Sequence, residues 1–451
     1  MSKYTKAYFL VLAILELLML TTHFRLAGIF LGSSMLLGIF YAHFSKIDRV
    51  FMIAWVVGFA PIVVFIRPFI FAESGFTIIT ILVVIIAFFS MRKEIEKTLT
   101  NKNILFILVF FVLYVAFGLI NGAKPIVFLK IVELGTTLVL ISTLLYFPEY
   151  RSFAFRNFVY SSIAVYIIMF PHIANRFAVP TEAGFSVGGD PSGMAALLVI
   201  SLIFVFFDNA KMIQFPKKSK VLSLLIIVVF TFLFLSTSRT NMAAMFIILI
   251  FYSLKNTANF LKYFIILVVM LILSLSILDS KYINTVEKFY ITKLDTSKRS
   301  ANQLTTNRLV QWQISFHYFD IAPLSEVLFG YGPGKKDFMY EKGKDYIRDK
   351  GYVSGADSHY VLHTLYLMLA VEYGLIAFTI FMIFLLRSLY YNMKLYLKKK
   401  EILFYFTVAY MFTIMANTGV GVIGGMYMAF IFTGAKIFND EYLKYDERMK
   451  V

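Results

Sequence analysis

The chain has 451 residues, 60% of them hydrophobic, with 43 Lys and Arg against 26 Asp and Glu and no cysteine. A soluble globule cannot cover that much apolar surface, so lipid must be the main solvent. The missing cysteine excludes disulfides and thiol catalysis, and the net charge of +17 is scattered between apolar runs, which argues against nucleic acid as a partner.

The first apolar run follows MSKYTK and lacks a small-residue cleavage site, so it reads as a retained helix. Later runs such as ILVVIIAFFS, NILFILVFFVLYVAFGLI and FIILVVMLILSLSIL read as spanning helices. In lipid every backbone N–H and C=O must be paired within its own segment, which favours helices. The weak alternation of an outer-membrane barrel is absent. The expected fold is an all-α polytopic membrane protein with about fourteen spans, twelve at the fewest. They start near Lys6, Leu26, Val50, Phe76, Asn103, Ile126, Phe158, Pro191, Val221, Asn241, Lys262, Tyr360, Glu401 and Gly421. Three parts follow: helices over residues 1–279, a long polar loop over 280–357, and helices over 358–451.

Alternate connections differ sharply in Lys plus Arg, the residues that stay cytoplasmic. One set, which includes both termini, HFSKIDR, MRKEIEKTLTNK, EYRSFAFRN and the basic stretch after Arg387, holds 25. The opposite set holds 6 outside the long loop. Short loops decide orientation, so both termini are expected inside and the loop, with 12 cations of its own, outside. The span after the loop runs thirty residues from Ser358 to Arg387. That is about 45 Å of helix against a hydrocarbon core of about 30 Å. The surplus must tilt, bend or project, with Gly374 as the bend point, and is expected at the outer surface.

The polar residues worth chemistry collect at that outer side. His359 and His363 are four apart and share a helical face. HYVLH lacks the glutamate of a zinc-protease helix, so the pair reads either as interfacial residues or as a catalytic imidazole. Arg239, in STSRTN between two short apolar helices, is an outer-end anchor or an anion clamp, since guanidinium grips phosphate through two parallel hydrogen bonds. Within the loop, Arg308 and Trp312 stand one turn apart on a short helix. Gly330, Gly332 and Gly334 punctuate a turn that could bring backbone N–H groups to a ligand, although no GK[ST] makes it a P-loop. Trp312, Tyr331 and Tyr340 could stack on sugars. Arg176 is the cation of a third outer loop, where Asp190-Pro191 caps the next helix. Lys130 and Glu133 are expected as a buried pair inside a span, and Glu372 lies below the histidines.

In this order the pieces resemble the O-antigen polymerase and O-antigen ligase superfamily of membrane glycosyltransferases. STSRT is similar to its Ser-x-Ser-Arg segment. NRLVQW…APLSEVLFGYGPGKKDF is similar to its Arg…Trp…Pro-Leu…Gly-x-Gly-x-Gly…Phe loop. GFSVGGDPSGMAALL resembles a Gly-x-Phe…Asn-Pro-Asn…Ala stretch, and HTLYLMLAVEYG a His-Asn-x-Tyr-Leu…Glu-x-Gly pattern that contains Tyr366. Thr364 stands where that pattern has Asn, Asp190 and Ser192 replace two Asn, and His359 is extra.

The resemblance implies a GT-C-like enzyme of the bacterial inner membrane working at its periplasmic face. The partner would be an undecaprenyl-pyrophosphate-linked oligosaccharide held among membrane lipid, with a chain-length regulator as a further protein partner. His363 would be the catalytic histidine, with Arg239 and Arg308 on the pyrophosphate. Arg176, His359, Trp312, Gly332, Gly334, Tyr366 and Asp357 would hold the substrate. No metal and no cofactor is required, because permanent guanidinium charges sit at the phosphates. The favoured reaction is polymerisation of lipid-linked repeat units. A ligase passing finished glycan to lipid A core is the nearest rival, and a flippase or a membrane scaffold stand further off.

Overall fold

The computed structural model describes residues 92–120, 128–177, 191–206, 239–255, 308–332, 364–397, 402–416 and 422–434, together with scattered residues between 10 and 61 and residue 265. Among them all regular structure is helical. The helices are α1 (Arg92–Leu99), α2 (Lys102–Ile120), α3 (Leu129–Leu145), α4 (Pro148–Phe177), α5 (Pro191–Phe206), α6 (Arg239–Lys255), α7 (Arg308–Ile321), α8 (Leu324–Phe329), α9 (Leu365–Glu372), α10 (Gly374–Leu397), α11 (Ile402–Ala416) and α12 (Val422–Ala429). A π-turn over Phe430–Gly434 follows α12.

Two of these, α2 and α10, are long and apolar enough to cross a membrane. At 19 and 24 residues they reach about 29 and 36 Å. Both expose apolar side chains along one flank: Leu105, Val109, Val112 and Leu113 on α2, and Ile376, Ile380, Ile383 and Leu386 on α10. Exposed apolar surface on that scale is a membrane or partner face, not a solvent face. The spans expected near Lys6, Leu26, Phe76, Val221 and Lys262 lie outside the described residues, so the tally of fourteen is not reached here.

Inside the bundle, α5 is buried on every side, with no residue from Ala195 to Phe204 more than 1% exposed. A helix apolar all round belongs at the centre of a bundle. It packs against α4, α6 and α11. Phe204 stacks on Phe155 at 4.7 Å and meets Phe406 and Phe430, which are themselves parallel at 4.3 Å. α12 lies against α3, and the approach is close because Gly425 has no side chain: an added Cβ would crowd the Leu134 carbonyl and Thr137. Small residues at such contacts are how helices associate where lipid removes the hydrophobic drive. Several buried hydroxyls pair across helices, as in Ser142 Oγ with Thr433 Oγ1 at 2.9 Å and Thr98 Oγ1 with Thr143 Oγ1 at 2.8 Å.

Two stretches expected as basic connections are helical instead. MRKEIEKTLTNK contains α1, and EYRSFAFRN is the beginning of the thirty-residue α4. Pro148 and Pro191 both stand at first helical positions, where a missing N–H costs nothing. Arg151 is buried, and its Nη1 donates to the Leu145 carbonyl at 3.1 Å, so this cation helps tie α4 to the end of α3. Glu133 is buried in α3; the Lys130 side chain lies outside the described residues.

Candidate functional site

The helix expected from Ser358 to Arg387 is broken. α9 ends at Glu372, Tyr373 caps it with its N–H on the Leu369 carbonyl, and α10 starts at Gly374 with φ +79°. A left-handed residue between two helices is a glycine's position. α10 then continues past Arg387 to Leu397 and is by itself long and apolar enough to cross a membrane. The surplus expected to lie outside becomes the separate eight-residue α9, which is wedged between two packings. Leu365, Leu369 and Tyr373, spaced four apart, join the bundle core. Leu367 and Val371, on another face, join a small second core with Ile314, Tyr318 and Tyr331 of the loop. Tyr366 Oη donates to the Met411 carbonyl of α11 at 3.4 Å.

The bundle side of α9 opens onto a small apolar groove with a cavity volume of about 40 Å³. Leu365, Met368 and Leu369 form one wall; Phe106, Phe110 and Tyr114 of α2 and Phe381 and Phe384 of α10 form others. Tyr114 closes one end by stacking on Tyr373 with ring centroids 3.6 Å apart.

On its other side α9 receives the loop. Ile314 and Tyr318 sit one turn apart on the buried face of α7. Tyr318 Oη donates to Glu326 Oε2 at 2.6 Å and bridges α7 to α8. Burial, then that hydrogen bond, then the carboxylate charge push the Tyr318 phenol well above its usual range. After α8 the chain turns at Gly330 (φ +77°), whose N–H donates to the Glu326 carbonyl at 2.7 Å. Tyr331 and Gly332 then donate to the Val371 and Glu372 carbonyls at 3.4 and 3.0 Å. Carbonyls at a helix C-terminus have no partner within the helix, and here the loop supplies one from outside.

The sequence candidates fall into three groups. His363, His359, Asp357 and Gly334 lie outside the described residues. Arg239, Arg308 and Arg176 have described backbones, at the start of α6, the start of α7 and the end of α4, while their side chains do not. Trp312, Gly332 and Tyr366 are placed in full. The short helix expected around Arg308 and Trp312 is α7, and Trp312 is exposed on it. Gly332 is buried, and its N–H donates to the Glu372 carbonyl, so this N–H is used within the fold.

Two residues were missed. Phe316 is 58% exposed, one turn after Trp312, so the two rings are exposed opposite the buried face of α7. The four-residue spacing could have revealed it. Thr364, at the N-cap position of α9 and next to His363, is fully buried with an extended backbone, and its Oγ1 has no hydrogen-bond partner. No local pattern announces that. Among the described residues no three His, Asp or Glu gather as metal ligands.

The segment holding these features has known counterparts. Residues 222–382, from before α6 into α10, match a family model described as O-antigen ligase. No curated protein matches the chain.

Proposed function

We propose that this chain is a member of the O-antigen ligase and polymerase superfamily of integral membrane glycosyltransferase-like enzymes, and that its reaction is glycosyl transfer from a polyprenyl pyrophosphate. One observation carries the proposal. The apolar groove has Leu365 on its wall, and Leu365 is two residues beyond His363. A polyprenyl chain is apolar and long, and the groove offers it aromatic and aliphatic walls. Its pyrophosphate would then emerge at the histidine.

The chemistry follows from residue types. The acceptor hydroxyl oxygen attacks the anomeric carbon of the donor glycan. The bond from that carbon to the pyrophosphate oxygen breaks, and the electron pair leaves with the phosphate. The hydroxyl proton passes to His363, whose unperturbed range near pH 6.5 suits a general base. Arg239 and Arg308 hold the growing negative charge of the leaving group, an electrostatic contribution that commonly dominates. With permanent guanidinium charges at the phosphates, the reaction needs no metal. The exposed Trp312 and Phe316 rings offer flat apolar faces to the C–H side of sugars, which supports a glycan path along α7. Arg176, His359, Asp357 and Tyr366 are assigned to the surrounding substrate contacts.

Within the superfamily we assign polymerisation: a growing glycan moves from its carrier to the sugar of a new lipid-linked repeat unit, on the outer face of the inner membrane, with both termini inside and a chain-length regulator as protein partner. The test is chain extension in cells lacking the native gene. His363→Ala and Arg239→Ala should each abolish long chains while protein levels in the membrane stay unchanged. Normal long chains from either variant overturn the assignment. The family model's description favours a second reading, ligation of finished glycan to lipid A core. Loss of a polymerase leaves one repeat unit on that core; loss of a ligase leaves none.

A further inference from the structure

We propose that Gly330 and Gly374 form a backbone latch that sets the Arg308 helix against the His363 segment, making both glycines positioning residues for the reaction proposed above. The two glycines interlock. A Cβ added to Gly330 would land on the Glu372 carbonyl and the Tyr373 N, and one added to Gly374 would land on the Leu328 carbonyl and the Gly330 N. In both cases the obstacle is backbone, which no rotamer change relieves. Both residues also hold positive φ, +77° and +79°, a region costly to any side chain. The latch therefore excludes side chains at both positions on two independent grounds, conformation and space.

What the latch joins gives it a role. Its loop half is the C-terminal end of α8, tied back to α7 by the Tyr318–Glu326 hydrogen bond. Its bundle half is the α9–α10 break, fixed from behind by the Tyr114–Tyr373 stack. Tyr331 leaves the latch to meet Tyr318 ring to ring at 5.5 Å, while its N–H is bonded at Val371. Tyr318 thus lies at the C-terminal end of α9. One turn earlier on each helix, Ile314 and Leu367 share the same core. We read α7 and α9 as running side by side in one sense, so their leading ends, Arg308 on one and Thr364 after His363 on the other, are carried toward the same place. Among the described residues the second core has five buried residues, a small contact against a long loop. The latch supplies the missing constraint, and a shift of about 1 Å between catalytic groups can cost about 100-fold in rate.

The chain has no cysteine, so a reporter pair can be added to it without background. The Tyr331 N–H bond to Val371 brings those residues within the Cα separation a disulfide spans. In full-length protein in membranes, Tyr331→Cys with Val371→Cys should cross-link readily on mild oxidation. Adding Gly374→Ala or Gly330→Ala should reduce the cross-link at least about tenfold. Gly374→Asn separates the two grounds: asparagine tolerates the left-handed conformation but still carries a Cβ, so it should fail to restore the cross-link. Without the reporter cysteines, both alanine variants should lose about 100-fold in kcat. The KM for the lipid-linked donor should change less than about threefold, because the groove is untouched. A mere folding defect would lower membrane-inserted protein instead. Full cross-linking in the glycine variants overturns the latch, and so does normal chain extension despite a lost cross-link. If the unaltered chain extends no glycan, the transferase reading fails, and the cross-link still decides whether the latch exists.

Discussion

Phe204, at the centre of the bundle, has Phe155, Phe406 and Phe430 around it at 4.7 to 5.4 Å, all of them fully buried or nearly so. Tyr331, at the docked loop, meets Tyr318 at 5.5 Å in a small core, and its segment is also held by main-chain hydrogen bonds and two glycines. The bundle is set by side-chain volume spread over many residues. The dock is set by backbone geometry at a few. A volume change in the bundle should therefore be felt by the whole fold, whereas damage at the dock should release the loop and leave the bundle standing. That difference suits a membrane enzyme, whose scaffold must hold while its substrate-handling segment keeps local stability of its own.

The largest effect is expected from Phe204→Ala. Truncating a buried phenylalanine costs about 3–5 kcal/mol. Because lipid already shelters the unfolded helices, the loss here is mostly missing packing, and the low end of that range applies. The variant should show a clearly lowered Tm in detergent and reduced membrane yield. An unchanged Tm would mean that the bundle does not depend on its aromatic centre. Ile314→Ala removes one of five residues from the second core and should cost about 2–4 kcal/mol of docking. Bundle Tm should be unaffected, while protease added from outside should cut the loop much faster. A fall in bundle Tm with an intact loop would erase the distinction between the two regions.

Much of this was readable in the sequence because the signals were local. Pro191 marks a helix start, the run from Asn103 marks a long apolar helix, and Arg308 with Trp312 marks a short helix. Gly374 read as a bend and is one. What escaped depends on distant partners. Gly330 read as a loop glycine, and nothing near it in sequence says that the Glu372–Tyr373 backbone will occupy the space its missing side chain leaves. The Glu372 carbonyl that accepts the Gly332 N–H lies forty residues away and was equally invisible. α1 and the start of α4 carry charges and looked like connections; charge density outweighed helix propensity in that reading, although Arg151 finds the Leu145 carbonyl. The loop also read as purely polar, yet Ile321, Leu324 and Phe329 are exposed on the piece that packs beside α10, so its docked part has an apolar outer surface.

A smaller effect should follow Tyr318→Phe. The change deletes the bond to Glu326, worth about 1–2 kcal/mol for a partly buried bond to a carboxylate, and should raise loop cleavage modestly. It also carries a pH signature. The phenol is held above its ordinary value of 10.0 in the docked state, so the docked loop keeps its proton where the released loop would lose it. Docking is then constant below pH about 10 and weakens as pH rises beyond it, since the released state alone sheds protons there. The phenylalanine variant has no phenol proton to lose, so the alkaline weakening should shrink. An identical pH profile for both proteins would remove Tyr318 from the dock.

The finest distinction concerns Thr364, which belongs to both regions. Its side chain is buried with an unpartnered hydroxyl, an arrangement that costs about 1–3 kcal/mol with no structural return. Thr364→Val keeps the shape and removes the hydroxyl. If Thr364 were only packing, the variant would be slightly more stable and fully active. Its place beside His363, at the N-cap of α9, argues for a different result: stability up by about 1 kcal/mol and chain extension down about tenfold, equivalent to about 1.4 kcal/mol of barrier. A gain in stability joined to a loss of rate would mark the hydroxyl as kept for substrate. A gain without the loss would return Thr364 to the bundle and leave the dock's chemistry to the histidine and arginines alone.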